Sequence, residues 1–394
     1  MDKSEIRFNN YTDAVAFARK LFDDLSFTYA SQWKKGDPSR KIIGYLPIYI
    51  PREIIHAAGM LPVGIFGAGD RIPSVRGDAY FQSYICHLPR TVVELALNNH
   101  LDDFDGFIFP AICDVIRNLS GIFRIRFPKK LIRYLDFPQD FNPEVGGKFY
   151  LAELERLRKD LKALNAKVPD KDELNRSIAL YNRNRFLLKK LNKFRSEQPQ
   201  KIAATDYYLI QRAGTIMSVE DHNYFIETVL QLADRVAAEE EDRIRVVISG
   251  SFCEQPPLGL IKTIENAGCY IVEDDWQLGL NWFAENIPED TDDPVAALVD
   301  SYLTLSTFSS AVYEGQKAKG DLLAAQVKNR HADGVIFCAP SFCDPALLDR
   351  PLLEKAMDRH KIKHSSFQYH ENLGQFHVIK EQTGTFADMI KLWE

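Results

Sequence analysis

The sequence is poor in the features that mark whole classes of protein. Its six cysteines in 394 residues include no CxxC pair, which excludes a disulfide-stapled scaffold and leaves core thiol, metal ligand or nucleophile as roles. No apolar run approaches the roughly 18 residues of a membrane span. The opening MDKSEIRFNNY has no apolar stretch of the signal-peptide kind, so a cytoplasmic chain is expected. With 49 Lys+Arg against 55 Asp+Glu the net charge is −6, and no overall basic field marks a nucleic-acid binder. Gly147-Lys148 lacks both the upstream glycine and the following Ser/Thr of a Walker A loop. Gly64-Ile65-Phe66-Gly67-Ala68-Gly69 has the wrong glycine order for a dinucleotide loop, and HExxH and GxSxG are missing.

What remains is ordinary globular composition, 45% hydrophobic and 26% charged, in a chain long enough for two or three domains. Short apolar runs alternate with helical segments, the pattern of parallel sheets flanked by helices. In the first half, strands are expected at 41–50, 61–66, 104–110 and 131–137, with helices opening at Pro51, His87 and Asp114. The second half repeats the order, with strands at 245–250, 270–273, 334–339 and 362–369. Its helices are expected from Pro257 and Asp344 and throughout 276–331. Two segments correspond closely: DGFIFPAICD at 105–114 and DGVIFCAPSFCD at 333–344. Each has Asp-Gly, a strand holding Ile-Phe, a proline and then Cys-Asp.

The fold class that follows is α/β, with two parallel-sheet domains related by internal duplication and joined by an α-helical hairpin. The domains are set at 1–147, including a leading helix, and 201–394, around a helical linker at 148–200. Residues 148–197 hold 14 Lys/Arg against 7 Asp/Glu, and leucines 151, 154, 157, 161 and 164 recur at helical spacing. That charge reads as a solvated helical face or, more sharply, as a docking surface for a partner or for phosphates.

Position separates the cysteines. In open parallel sheets, ligands bind beyond the carboxyl ends of the strands, where the next helix starts. Cys86 lies just before the helix at 87–98, and Cys113 precedes Asp114, a good N-cap. Cys343 takes the equivalent place in the second half, followed by Asp344 and Pro345. At a helix N-terminus the backbone N–H groups and the dipole favour thiolate over thiol. Three thiolates converging from two domains suit a metal or iron–sulfur site. The competing reading is packing, since free cysteine usually behaves as a small buried hydrophobe. The 27-residue step from Cys86 to Cys113 is no diagnostic ligand spacing. Cys269 and Cys338, in or against strands, read as core, and Cys253, in the loop 249–257, is open between core and pocket.

Two charged groups are noted beside them. Glu273-Asp274-Asp275 reads as a capped, solvated strand end, with pocket rim or cation site as the sharper alternatives. Arg124, Arg126, Lys129, Lys130 and Arg133 read as a solvated basic edge or as a hold for ligand phosphates.

The stretches GYLPIYIPREIIHAAGMLPVGIFG, YICHLPRTVVELA, FDGFIFPAICDVIRNL and DGVIFCAPSFCDP resemble the benzoyl-CoA reductase/2-hydroxyacyl-CoA dehydratase family. The resemblance covers the chain from about residue 40 to the end. FCEQPPLGLIKTIENAGCYIVEDDW and EQTGTFADMIKLW look most like the smaller of the two catalytic subunits of the ATP-dependent reductases. The resemblance implies two Rossmann-like domains holding a 4Fe–4S cluster through three cysteines, with one iron open. The matching positions are Cys86, Cys113 and Cys343. It also implies dearomatisation of an aroyl-CoA by single electrons at low potential. The thioester carbonyl delocalises the charge of the ring radical anion, and a dry apolar pocket excludes water. The implied partners are a paralogous catalytic subunit, an ATP-hydrolysing iron–sulfur donor pair and a ferredoxin upstream. His56, His87, Tyr84 and Glu53 are candidate proton donors near the cleft, and Glu53 reads equally as a helix N-terminal carboxylate.

Other readings stand beside this one. An (R)-2-hydroxyacyl-CoA dehydratase component would use the same cluster to remove water. A double-cubane cluster reductase needs more cysteines gathered at one site. A scaffold subunit would complete the heterodimer while its paralogue holds the substrate. A two-domain solute-binding module explains the duplicated halves but not three cysteines at helix starts. Because the chain has no nucleotide motif, ATP hydrolysis falls to a partner. The purified chain alone should release no phosphate from ATP above a protein-free blank, and intrinsic ATPase activity would overturn that division of labour.

Overall fold

KIIGY, MLPVG and GFIFP are apolar on both faces and almost wholly buried, as strands covered by helices on both sides must be. The computed structural model describes residues 7–46, 48–165, 168–250, 256–276, 280–307, 309–312, 318–370 and 376–392. The first part runs α1 (Tyr11–Asp23), α2 (Thr28–Lys35), β1 (Lys41–Tyr45), α3 (Arg52–Ala57), β2 (Met60–Gly64), α4 (His87–Leu97), β3 (Gly106–Pro110), α5 (Asp114–Arg126) and β4 (Leu131–Leu135). Four helices follow: α6 (Lys148–Asn165), α7 (Lys171–Glu197), α8 (Ala204–Ala213) and α9 (Val219–Ala233). The remainder is β5 (Ile244–Ser249), α10 (Leu258–Asn266), β6 (Cys269–Asp274), α11 (Pro294–Leu305), α12 (Lys319–Asn329), β7 (Gly334–Pro340), α13 (Asp344–Arg359), β8 (Lys363–Tyr369) and α14 (Phe376–Leu392). Among the described residues no helix is long and apolar enough to cross a membrane.

Both sheets are parallel throughout and share one strand order, β2-β1-β3-β4 and β6-β5-β7-β8. The Asp-Gly pair before each third strand sets its register. Asp105 accepts the Ile42 N–H with its carboxylate and donates its own N–H to the Ile42 carbonyl, both at 2.8 Å. Asp333 does the same with Arg245, at 2.6 and 2.8 Å. The glycine is required by close approach: a Cβ on Gly106 would meet Leu131 Cβ at 2.8 Å, and one on Gly334 the Lys363 carbonyl at 2.8 Å. The two halves are thus repeated in hydrogen bonding as well as in strand order.

Two helices lie where the hairpin is expected, but they do not pack on one another as a pair: α6 packs on β4 and α11 instead. α7 opens with a capping box between Asp170 and Glu173, and its 27 residues span about 40 Å. It packs on α3 of the first half and on α9 and β6 further along the chain. Its basic charge is not a uniformly solvated face. Arg185 is buried and paired with Glu53 of α3 at 2.7 Å, and Arg195 is buried and paired with Asp274 of β6. Arg183 reaches Glu227 at 2.6 Å, Lys189 reaches Glu285 at 3.1 Å, and Lys171 pairs with Asp292. The acids that balance these cations lie outside the two helices, which is why the segment looks so basic in sequence.

Helix does not fill 276–331. From residue 280 to 293 the chain crosses α7 without regular structure before α11 begins. Asn182 donates to the Ile287 carbonyl at 2.8 Å and accepts the Ile287 N–H at 3.0 Å. Asn175 makes the same two-way pair with Thr291, at 3.0 and 3.2 Å. Two amide side chains two helical turns apart therefore supply the backbone partners that helix would otherwise provide. The main apolar core runs from the first sheet through α6, α7 and α9 to this strap and α11. Smaller cores lie on the two sides of the second sheet.

His222, where α7, α8 and α9 meet, is buried and neutral. Its Nδ1 accepts from Asn184 Nδ2 at 2.9 Å, and its Nε2 donates to the Ile210 carbonyl at 3.2 Å. Burial, opposed by the Ile210 carbonyl and aided by Arg52, lowers its pKa from 6.5 to about 4. The unfolded chain therefore takes up this proton first as pH falls. Stability is complete above pH 6.5 and is lost progressively down to about 4, by roughly 3 kcal/mol. The His222→Gln variant should flatten the pH dependence of the urea midpoint across this window. An unchanged pH profile in the variant would contradict the assignment.

Candidate functional site

Cys113 and Cys343 occupy the same place in the two repeats. After β3 the Ala111 N–H bonds the Leu135 carbonyl at 3.0 Å, and after β7 the Ser341 N–H bonds the Tyr369 carbonyl at 2.9 Å. Each chain then turns through two residues into a cysteine at the N-cap of the next helix. Their carbonyls accept the first helical bonds, from Arg117 at 3.2 Å and Leu347 at 3.0 Å. In the second half the turn contains Phe342 at φ 63°, exposed in a left-handed conformation rare for an aromatic residue. That turn leaves Phe342 outside and Cys343 buried. Both positions lie at the carboxyl edge of the third strand, beside the first, where the strand order reverses and such sheets bind ligands.

The Cys113 thiol faces the backbone N–H groups of Val115 and Ile116 at the start of α5, without a side-chain capping bond. Burial raises it above the ordinary thiol range, these donors pull it back, and the carboxylates of Asp114 and Asp344 push it up again, leaving it raised. Buried Cys343 belongs to the main apolar core, and half-buried Cys113 packs against that core. Cys86 is half-buried at the N-cap of α4. The loop before it is braced from that helix, where Glu94 accepts the Arg76 and Gly77 N–H groups at 2.8 Å each.

The structure thus sets Cys86, Cys113 and Cys343 each at a helix start. Among the described residues, no three His, Cys, Asp or Glu side chains stand close enough together to hold a metal ion. Cys253 lies outside the described residues. Cys269 and Cys338 are buried within β6 and β7.

The four candidate proton donors separate. Tyr84 is exposed, and His87 is the first residue of α4, its Nε2 3.4 Å from Ser74 Oγ. These two flank Cys86. Glu53 and His56 are turned toward the helical layer instead. Glu53 pairs with Arg185, and His56 bridges Ser177 Oγ at 2.9 Å and Glu220 at 3.0 Å. In the basic cluster Arg124, Arg126 and Lys129 are exposed, while the other two members are tied to neighbouring groups. Lys130 Nζ donates to the carbonyls of Leu101, Asp102 and Phe104, and Arg133 pairs with Glu153 and Asp160.

A cavity of about 1240 Å³ opens at the carboxyl edge of the second sheet. It is lined from α7, the strap, α11 and the chain after it, α12 and α13. Sequence periodicity does not point to it; the one signal is Glu273-Asp274-Asp275, which lines it. This is not a solvated strand end: Glu273 is held by Arg330 at 2.6 Å and Asn192 at 2.9 Å, Asp274 by Arg195, and Asp275 accepts the Gly250 N–H at 2.7 Å.

Thiol accessibility follows from these positions. Burial pushes the Cys269 thiol up to about 12, so it stays neutral and enclosed, whereas Cys86 and Cys113 are half-buried. Timed alkylation of the metal-free native chain by iodoacetamide should modify Cys86 and Cys113 well before Cys269, read by peptide mass spectrometry. Equal rates would contradict the described burial.

Known relatives match this chain along most of their length. The family model described as 2-hydroxyglutaryl-CoA dehydratase, D-component, matches residues 47–390. The chain is 49% identical over 382 residues to the C subunit of benzoyl-CoA reductase of Thauera aromatica, covering 97% of this chain and 99% of that one. It is 27% identical over 355 residues to the beta subunit of (R)-2-hydroxyglutaryl-CoA dehydratase of Acidaminococcus fermentans, covering 89% and 93%. It is 25% identical over 391 residues to the beta subunit of lactoyl-CoA dehydratase of Anaerotignum propionicum, covering 99% and 100%. A family match over most of the chain and an end-to-end relative at near half identity agree, and the chain belongs to the 2-hydroxyglutaryl-CoA dehydratase D-component family.

Proposed function

We propose that this chain is the iron–sulfur catalytic subunit of an ATP-dependent aroyl-CoA reductase of the benzoyl-CoA type. The observation that carries the reading is 49% identity over 97% of the chain to the C subunit of benzoyl-CoA reductase. The donor chemistry agrees with it. Three thiols sit at the N-caps of α4, α5 and α13, where unpaired N–H groups and the helix dipoles stabilise anionic sulfur. Cys86, Cys113 and Cys343 would hold a 4Fe–4S cluster.

Bound through three thiolates with one iron open, such a cluster supplies single electrons at low potential and a site for a thioester oxygen. The chain's own residues provide the surroundings. The Val115 and Ile116 N–H groups face the Cys113 sulfur and favour its anionic form. Buried Cys343, Ala346 and Ile112 keep water away from the thiol edge, which a strongly reducing site requires. His87 and Tyr84 flank Cys86 and stand as proton donors on that side. Glu53 serves the fold through Arg185. A paralogous subunit, an ATP-hydrolysing iron–sulfur donor pair and a ferredoxin upstream complete the system.

The second reading, a component of a 2-hydroxyacyl-CoA dehydratase, is favoured by the family model and by the two dehydratase beta subunits. Anaerobic purification with the partner subunits separates the two. The expected result is about four irons on this chain, a marked loss of them in Cys113→Ser, and ATP-dependent reduction of benzoyl-CoA. Turnover of a 2-hydroxyacyl-CoA alone would select the dehydratase. Iron content that is low and indifferent to Cys113→Ser would reduce the chain to a scaffold.

A further inference from the structure

The large cavity includes none of the three candidate cluster cysteines among its lining residues, and the proposed cluster chemistry leaves it unused. We propose that it seats the uncharged, amide-bearing arm of a thioester substrate and leaves the nucleotide phosphates outside. The inference rests on the reading of this chain as part of a CoA-thioester enzyme.

Three observations support it. The first is place: the cavity lies beyond the carboxyl ends of β5 and β6, at Ser249 and Asp274, where open parallel sheets take ligands. Ser309 and Ser310, in the chain after α11, line it as well.

The second is charge. The described cations that line the cavity are already matched: Arg330 with Glu273 at 2.6 Å, Lys319 with Asp349 at 2.7 Å, Arg185 with Glu53 at 2.7 Å, and Lys189 with Glu285 at 3.1 Å. A phosphate entering here would have to break such pairs and meet the carboxylates left behind. An uncharged chain meets no such barrier.

The third is the wall. Leu188, Phe283, Leu303 and Leu323 offer apolar surface, while Ser306 and Asn192 offer hydrogen-bonding groups between them. That mixture suits a chain with isolated amides better than a purely apolar or a polyanionic ligand. About 1240 Å³ is ample for it. The strap pinned by Asn175 and Asn182 holds this wall in place.

The test uses the complete complex with its partner subunits, prepared anaerobically. In Ser306→Trp an indole would fill the cavity at a half-buried position far from the cysteines in sequence. S-benzoylpantetheine, which lacks the nucleotide, should bind the native complex by calorimetry and lose about tenfold or more in affinity in the variant. The KM for benzoyl-CoA should rise to a similar degree, with iron content unchanged. Adenosine 3′,5′-bisphosphate should bind both forms alike. Thr304→Trp serves as a second placement should the first variant fail to assemble. Unchanged affinity and KM in an assembled, iron-replete variant would overturn the cavity assignment while leaving the proposed function standing. Loss of bisphosphate binding in the variant would put the nucleotide in the cavity and overturn it as well. A native complex with no iron and no thioester turnover would overturn both readings.

Discussion

Helix α7 carries two buried guanidiniums, and the arrangement of the molecule depends on where each finds its carboxylate. Arg185 finds Glu53 on α3, and Arg195 finds Asp274 at the end of β6. A buried arginine left alone would cost several kcal/mol, so each pair is obligatory once the helix is enclosed. The two arginines stand ten residues apart, about 15 Å along the helix. One helix thereby ties an element of the first sheet to an element of the second. Arg185, Asn192 and Asp274 also line the large cavity, so the contacts that join the halves shape the space between them.

The duplication supplies the other organising feature. At the amino edge of each sheet, Asp-Gly locks the third strand to the first through the same pair of hydrogen bonds. At the carboxyl edge, each third strand ends in a proline and delivers a cysteine to a helix N-cap. The strands between differ in length, five residues in β3 and seven in β7, yet the cysteines arrive in equivalent places because both ends are defined. A repeat built this way sets two thiols at matching positions without any sequence motif linking them. Helix N-termini on that edge suit anionic sulfur, and the family to which the chain belongs is consistent with such a use.

Much of this is legible in the residues. Strands buried on both faces leave continuous apolar runs, as in β2, β3 and β7, whereas β8, KHSSFQY, is largely exposed and leaves no such run. The helix starts at His87, Asp114 and Asp344 fall where expected, but the N-caps are Cys86, Cys113 and Cys343, and Asp114 and Asp344 take the first helical position instead of capping it. The strap escapes a local reading because its partners are asparagines on α7, more than a hundred residues earlier in the chain. The basic character of 148–197 misleads for the same reason: its carboxylates lie on α3, β6, α9 and the strap.

Local chemistry, then, is enough to establish the α/β class, the repeated halves and the place of each cysteine relative to its strand and helix. Periodicity and capping act over a few residues and leave their mark wherever they operate. The burial of Arg185 and Arg195, the enclosure of Glu53, the neutral state of His222 and the existence of the cavity come only with the assembled molecule. Each depends on groups far apart in the chain meeting in a low-dielectric interior, where burial and pairing decide charge and no local pattern records the partner.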